Sequence, residues 1–124
     1  MQRDRCAYLE DVLLAGNQIL TFTADLEYEH FAANSLVRAA VERKFEIIGE
    51  ALKQLMQLYP GEIAPTPSSR AAMRQRDRIA HGYFAIDPAI LWRTLRVDLP
   101  PLLIEIQMLK DSSGCADSII RSSS

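Results

Sequence analysis

Arg76 and His81, five positions apart, and Tyr83 just beyond them form the pattern Arg-x4-His-x-Tyr within Arg76-Asp77-Arg78-Ile79-Ala80-His81-Gly82-Tyr83. Arginine carries a rigid positive fork that can grip a phosphate at two points and stabilise charge developing on its oxygens. Histidine can take or give a proton near neutral pH, and the negative end of a helix dipole suits a residue that must hold one. An RNA strand supplies its own nucleophile, the 2′-hydroxyl beside each phosphodiester. Proton transfer at His81 and charge stabilisation at Arg76 could therefore cut RNA without a metal and leave a cyclic phosphate. By spacing alone the plainer reading leads: a surface arginine and a histidine that caps its helix. Asp77 could orient His81 across one helical turn or merely neutralise the arginines around it. Arg74 and Arg78 are further candidates for phosphate contacts.

Helical geometry restricts how these residues can meet. Positions five apart differ by roughly 140° in azimuth, so Arg76 and His81 do not share a face. His81 lines up instead with Arg70, Arg74, Asp77 and Arg78. Either the helix end reorients His81, or the site draws on two chains. A homodimer is the more economical arrangement, because a twofold axis brings two histidines together.

The elements that must position the motif read as four helices, with no convincing strand alternation. The first runs from about Asp4 to Thr21 and carries a stripe of Tyr8, Val12, Ala15, Ile19 and Phe22. The second starts near Asn34, a good N-cap, and ends at about Tyr59 before Pro60-Gly61. Its two adjacent stripes, Leu36/Ala40/Ile47/Ala51/Leu55/Leu58 and Val37/Val41/Ile48/Leu52, mark it as the central helix. The segment from Pro60 to Ser69 is a proline-rich loop, followed by a third helix from about Ser68 to Ala80. Gly82 suits the position after that helix, which leaves His81 in its last turn or just beyond. Asp87-Pro88 opens a fourth helix that Pro100-Pro101 should kink or divide. Short connections between amphipathic helices give an all-α, antiparallel bundle of four main helices, the last proline-kinked. The domain is expected over residues 1–111, with a flexible Ser-rich tail over 112–124.

Composition agrees with one ordinary globular domain: 124 residues, 48% hydrophobic and 24% charged. The net charge of −2 does not by itself favour a polyanion. Its distribution is more telling, since the stretch from Arg70 to His81 holds four arginines and one acid and leaves the rest of the chain acidic. A basic segment on an acidic body suggests a localised anion site. No apolar run approaches the roughly 20 residues of a membrane span, and the charged N-terminus is unlike a secretory signal, so a cytoplasmic location is expected. Cys6 and Cys115 lack zinc-site or redox-pair spacing and are expected to be reduced and incidental. With His30 and His81 the only histidines, neither a metal nor another cofactor is indicated.

The run Met73-Arg74-Gln75-Arg76-Asp77-Arg78-Ile79-Ala80-His81-Gly82-Tyr83-Phe84, continuing through Ile86-Asp87-Pro88 to Trp92 and Asp98-Leu99-Pro100-Pro101-Leu102, resembles the HepT toxin family of HEPN proteins. So do Arg43-Lys44-Phe45-Glu46-Ile47-Ile48-Gly49-Glu50-Ala51 and Tyr8-Leu9-Glu10-Asp11. The resemblance implies a helical bundle, a homodimer with a composite cleft, and a metal-independent endoribonuclease within a type VII toxin–antitoxin system; which RNA it cuts is left open, with tRNA and mRNA as candidates. It places catalysis on Arg76 and His81, with Asp77 in support. It implies as partner a minimal nucleotidyltransferase antitoxin, in a hetero-oligomer with the toxin, that adds AMP to Tyr83. Bulk and negative charge beside a basic phosphate site would block RNA. The loop from Pro60 to Ser69 and the serine-rich tail depart from the family pattern, away from the motif.

Other residues carry weaker signals. Glu46 and Glu50 read as ion-pair partners of Arg43 and Lys44 in preference to a carboxylate pair. Trp92 and Phe84 could stack on a base, although packing is the favoured role for Trp92. His30 has no assigned role. Two rival functions remain open: a non-catalytic helical partner that docks on a nucleotidyltransferase, and a nucleotide or phosphate sensor built on the same basic helix.

Overall fold

In the computed structural model, residues 4–61, 63–81 and 87–115 are described, and helices account for nearly all of them, with no strand among the described residues. The elements are α1 (Arg5–Thr23), α2 (Tyr28–Ala33), α3 (Ser35–Leu58), α4 (Pro67–Ala80), α5 (Pro88–Arg93), a π-helical turn (Thr94–Asp98) and α6 (Leu99–Ser112). Four long helices therefore build the bundle, as the periodicity indicates, and two short ones flank it.

Helix α1 begins where Asp4 accepts a hydrogen bond from the Ala7 N–H at 2.9 Å. Its buried face is Leu9, Val12, Ala15, Gly16, Ile19 and Thr23. This face is rotated slightly from the expected stripe, so that Phe22 is left 41% exposed while Leu9 and Thr23 point inward. Thr23 is tolerated in the core because its hydroxyl donates to the Ile19 carbonyl at 2.9 Å.

Helix α3 is capped by Asn34, whose side chain accepts from the Val37 N–H at 3.1 Å. It packs against both α1 and α4, which makes it the central helix. Val41, Phe45, Ile48, Gly49, Ala51, Leu52 and Leu55 are buried along it, whereas Leu36, expected in one stripe, lies in the first turn and is 79% exposed. Helix α2 is the element that periodicity missed. It is six residues long and buries one side chain, Phe31, against the Trp92 ring at 5.0 Å between centroids.

Helix α4 starts one residue earlier than expected, because Thr66 and Ser69 form a reciprocal cap: the Ser69 N–H donates to Thr66 Oγ1 at 3.1 Å and the Thr66 N–H to Ser69 Oγ at 2.8 Å. Pro67 fills the first helical position, where a missing N–H costs nothing. Thr66 also donates to Glu105 Oε2 at 2.8 Å, which ties the start of α4 to α6.

The expected division of the fourth helix comes as the π turn. Leu99 N–H reaches back to the Thr94 carbonyl, and Pro100-Pro101 then sit in the first turn of α6, where absent donors are harmless. The Arg96 guanidinium locks this turn to the α1–α2 connection by donating to the Thr23 carbonyl at 2.6 Å and the Leu26 carbonyl at 3.1 Å, with Trp92 stacked 4.4 Å from it.

Helices α1 and α6 run antiparallel. Lys110 Nζ donates to Glu10 Oε1 at 2.8 Å near one end, and Leu103 packs onto Gly16 further along. The same register corrects the expectation for the cysteines: Cys6 and Cys115 are joined by a disulfide, with Cα atoms 5.6 Å apart. Their separation of 109 residues carried no hint of proximity, which the antiparallel packing alone creates. Gly114, at φ +71°, makes the left-handed turn after α6, and the Cys115 N–H reaches the Lys110 carbonyl at 3.4 Å. Residues 116–124, most of the expected tail, lie outside the described residues.

Candidate active site

Helix α4 carries the motif arginine where it crosses α3. Residue 49 is glycine, and a Cβ there would lie 2.3 Å from Arg76 Cβ and 2.6 Å from its Cγ. No side chain fits in that gap, so the stem of Arg76 lies directly on the backbone of α3. The next residue of α3 then holds its head: Arg76 Nη2 donates to Glu50 Oε2 at 3.0 Å, and Nη1 donates to Asp77 Oδ1 at 3.3 Å. The side chain is 28% exposed. A guanidinium fixed by its stem and two carboxylates, with further N–H donors available, is set up to meet an anion without searching for its orientation.

Glu50 was expected to pair with Arg43 or Lys44. Arg43 instead approaches Glu46, at 3.8 Å, and Glu50 turns to Arg76 from a neighbouring helix. Local spacing favours partners one turn away, and the α3–α4 crossing overrides it. Gly49 was also missed as a site-building residue. The signal that could have found it is a glycine inside an otherwise strong helical pattern, which commonly marks a close approach of another element.

His81 is the C-cap of α4. Its N–H bonds to the Asp77 carbonyl at 3.0 Å, so the helical register continues to it, and its Nδ1 lies 2.7 Å from the same oxygen. A carbonyl can only accept, so Nδ1 carries the proton in this contact, and Nε2 is the other ring nitrogen of an exposed side chain. The two roles weighed for Asp77 are thus divided between its groups: the backbone carbonyl orients His81 and the carboxylate neutralises Arg76.

Because α4 stays helical to its end, Arg76 and His81 remain on different sides of it, roughly 140° apart. Arg74 and Arg78 line a polar pocket on another face. Gly82, Tyr83 and Phe84 lie outside the described residues. Trp92 is half-buried, packed against Phe31 and, edge-on at 6.2 Å, against Tyr28. Among the described residues, no group of three or more His, Cys, Asp or Glu side chains could hold a metal ion. No described helix is long and apolar enough to cross a membrane.

The family profile described as "Ribonuclease HepT-like" matches residues 12–109. A protein of Thermococcus cleftensis named a probable ribonuclease HepT is 34% identical over 110 residues, covering 89% of this chain and 99% of that one. "Putative RNase MJ1380" of Methanocaldococcus jannaschii is 33% identical over 108 residues, covering 87% of this chain and 98% of its own. No solved structure gives a significant match.

Proposed function

The chain belongs to the HepT-like ribonuclease family, and on that premise we propose that it is an RNA-cleaving toxin whose cutting centre is a cleft shared by two copies of the chain. The observation that carries this reading is the pairing on one helix of a clamped arginine with an exposed histidine whose Nδ1 is anchored. In the shared cleft, Nε2 of one His81 takes the proton from a 2′-hydroxyl. The freed oxygen attacks the adjacent phosphorus, and the 5′-oxygen leaves with a proton delivered by the partner's His81. Arg76 stabilises the extra negative charge on the phosphate oxygens between these steps. The products are a 2′,3′-cyclic phosphate and a 5′-hydroxyl end. The strand brings its own nucleophile and two imidazoles move the protons, so the reaction needs no metal or other cofactor.

Asp77 holds both partners in place, and Arg74 and Arg78 contact flanking phosphates. The working domain comprises residues 1–111, with 112–124 as a tail. In the cytoplasm, a minimal nucleotidyltransferase antitoxin neutralises the toxin by adding AMP to Tyr83, in a hetero-oligomer of the two proteins. This places bulk and negative charge two residues from His81.

One observation favours a second reading. Arg76 already faces two carboxylates, as a purely structural arginine would. On that reading the chain is a non-catalytic partner that docks on the nucleotidyltransferase.

Dimers purified with one parent chain and one His81→Ala chain separate a shared cleft from independent sites. If both histidines serve one cut, such dimers lose about 100-fold or more of the cleavage rate, the usual size of one acid–base contribution. Retention of half the parent rate shows that each chain cuts alone, and absence of cutting in the parent dimer itself favours the docking reading.

A further inference from the structure

On the side of α4 away from Arg76, roughly 150° around the helix, a cavity of about 340 Å³ opens between α4 and the segment formed by α5 and the π turn. Arg74, Gln75 and Arg78 line it from α4, and Arg93, Thr94 and Asp98 from the opposite wall. Gln75 is only 1% exposed, yet its Nε2 has no hydrogen-bond partner among the described residues. Native proteins rarely bury an amide donor unmatched, so Gln75, which lines this pocket, calls for an acceptor.

The charged residues indicate what that acceptor belongs to. Among the described residues, Arg74, Arg78 and Arg93 have no ion-pair partner, in contrast to Arg76, which has two. Three unneutralised guanidinium groups around a buried amide donor suit a phosphate, whose oxygens accept from all of them. Asp98 on the same wall would repel a bare phosphate that filled the cavity, but it can accept from an amino or hydroxyl group of an attached nucleoside. Thr94 spends its hydroxyl proton on the Ile90 carbonyl at 2.9 Å, so towards any ligand its oxygen could act only as an acceptor. The volume falls in the range of small-ligand sites.

We propose that this pocket is a nucleotide subsite for the RNA strand, holding one backbone phosphate and its nucleoside away from the cutting centre. The inference rests on the ribonuclease reading and extends it to Gln75, Arg93 and Asp98. The strand would leave the cleft at His81, which lies on the edge of α4 nearer to this pocket than Arg76 does, and continue along Arg74 and Arg78 into it.

The test is fluorescence anisotropy with a 2′-O-methyl RNA 12-mer, which binds without being cut, across a range of salt concentrations. Arg93→Gln should weaken binding about tenfold and reduce the salt slope by about 0.7, the contribution of one phosphate contact on a single strand. Gln75→Met, which keeps side-chain length and removes the donor, should weaken binding severalfold, while Arg70→Gln, outside the pocket, should change it less than twofold. Circular dichroism melts confirm that each variant is folded, and exposed Arg93 carries the test if Gln75→Met is not. Unchanged affinity and salt slope in Arg93→Gln overturn the subsite, as does an equal loss in Arg70→Gln or a parent protein that does not bind the probe. AMP binding that depends on Arg93, with 12-mer binding that does not, also overturns the RNA strand as occupant. Arg93-dependent binding in a protein that never cuts unmodified RNA supports the subsite and removes the ribonuclease reading instead.

Discussion

Arg76 lies across Gly49 so closely that a Cβ at position 49 would stand 2.3 Å from Arg76 Cβ. The contact is between a side-chain stem and a helix backbone, and flexing the far end of the arginine does not relieve it. Gly49→Ala must therefore push α4 away from α3. The expected cost is about 1–3 kcal/mol, the range for overpacking a tight interface, read as a lower midpoint in urea unfolding. Because the displacement moves Arg76 itself, RNA cleavage should fall further than stability explains, even under conditions where the variant is fully folded.

Glu50→Gln separates the orientation of Arg76 from the integrity of the fold. The Glu50 side chain is 50% exposed, so removing its charge should change stability by less than about 1 kcal/mol. The fork would keep Asp77 and lose its anchor on α3. Cleavage at saturating RNA should drop severalfold with an almost unchanged melting temperature. A variant that cuts as fast as the parent would remove Glu50 from the site.

Much of this arrangement was legible in the sequence. The cap at Asn34, the central helix and the break near Pro100-Pro101 follow from local chemistry that acts within a few residues, and the structure contains each of them. The separation of Arg76 from His81 was legible for the same reason, since it depends only on helical pitch. What escaped depends on contacts between distant segments. Glu50 and Arg76 are 26 residues apart, and only the α3–α4 crossing brings them together. Cys6 and Cys115 meet through the register of α1 on α6, and α2 is too short for a periodic signal, holding its place through Phe31 against Trp92.

The disulfide gives a third prediction. It closes almost the whole chain, its ends lying 109 positions apart, and removal of such a link typically costs about 2–5 kcal/mol. Cys6→Ser with Cys115→Ser, or reduction of the parent, should lower the unfolding midpoint accordingly. The helical circular dichroism signal should persist, because Glu10–Lys110 and Leu103 on Gly16 still join α1 to α6. In a reducing compartment the disulfide opens to two thiols, and because these contacts still hold α1 to α6, cleavage by the reduced protein should match that of the oxidised one at temperatures where both are folded.

Glu42 gives a pH-dependent prediction away from the site. Burial raises its pKa above 4.5, Arg38 works in the opposite direction, and Glu46 adds to the rise. A carboxyl whose pKa is higher in the folded chain than in the unfolded one stabilises the fold fully only below its unfolded value, and this contribution is lost as pH rises through the folded value. Glu42→Gln should therefore raise the melting temperature at pH 7, and the gain should shrink towards zero as pH falls below about 4, where both states of the parent are protonated. An equal gain at pH 3 and pH 7 would assign the effect to something other than this charge.

The cutting centre itself is tested most directly by cleavage of tRNA and mRNA with purified protein in the presence of a chelator, comparing the parent with His81→Ala. The parent should produce 2′,3′-cyclic phosphate ends, and His81→Ala, with its helical signal and oligomeric state unchanged, should cut at least about 100-fold more slowly. A folded His81→Ala protein that cuts RNA at the parent rate would contradict the assignment.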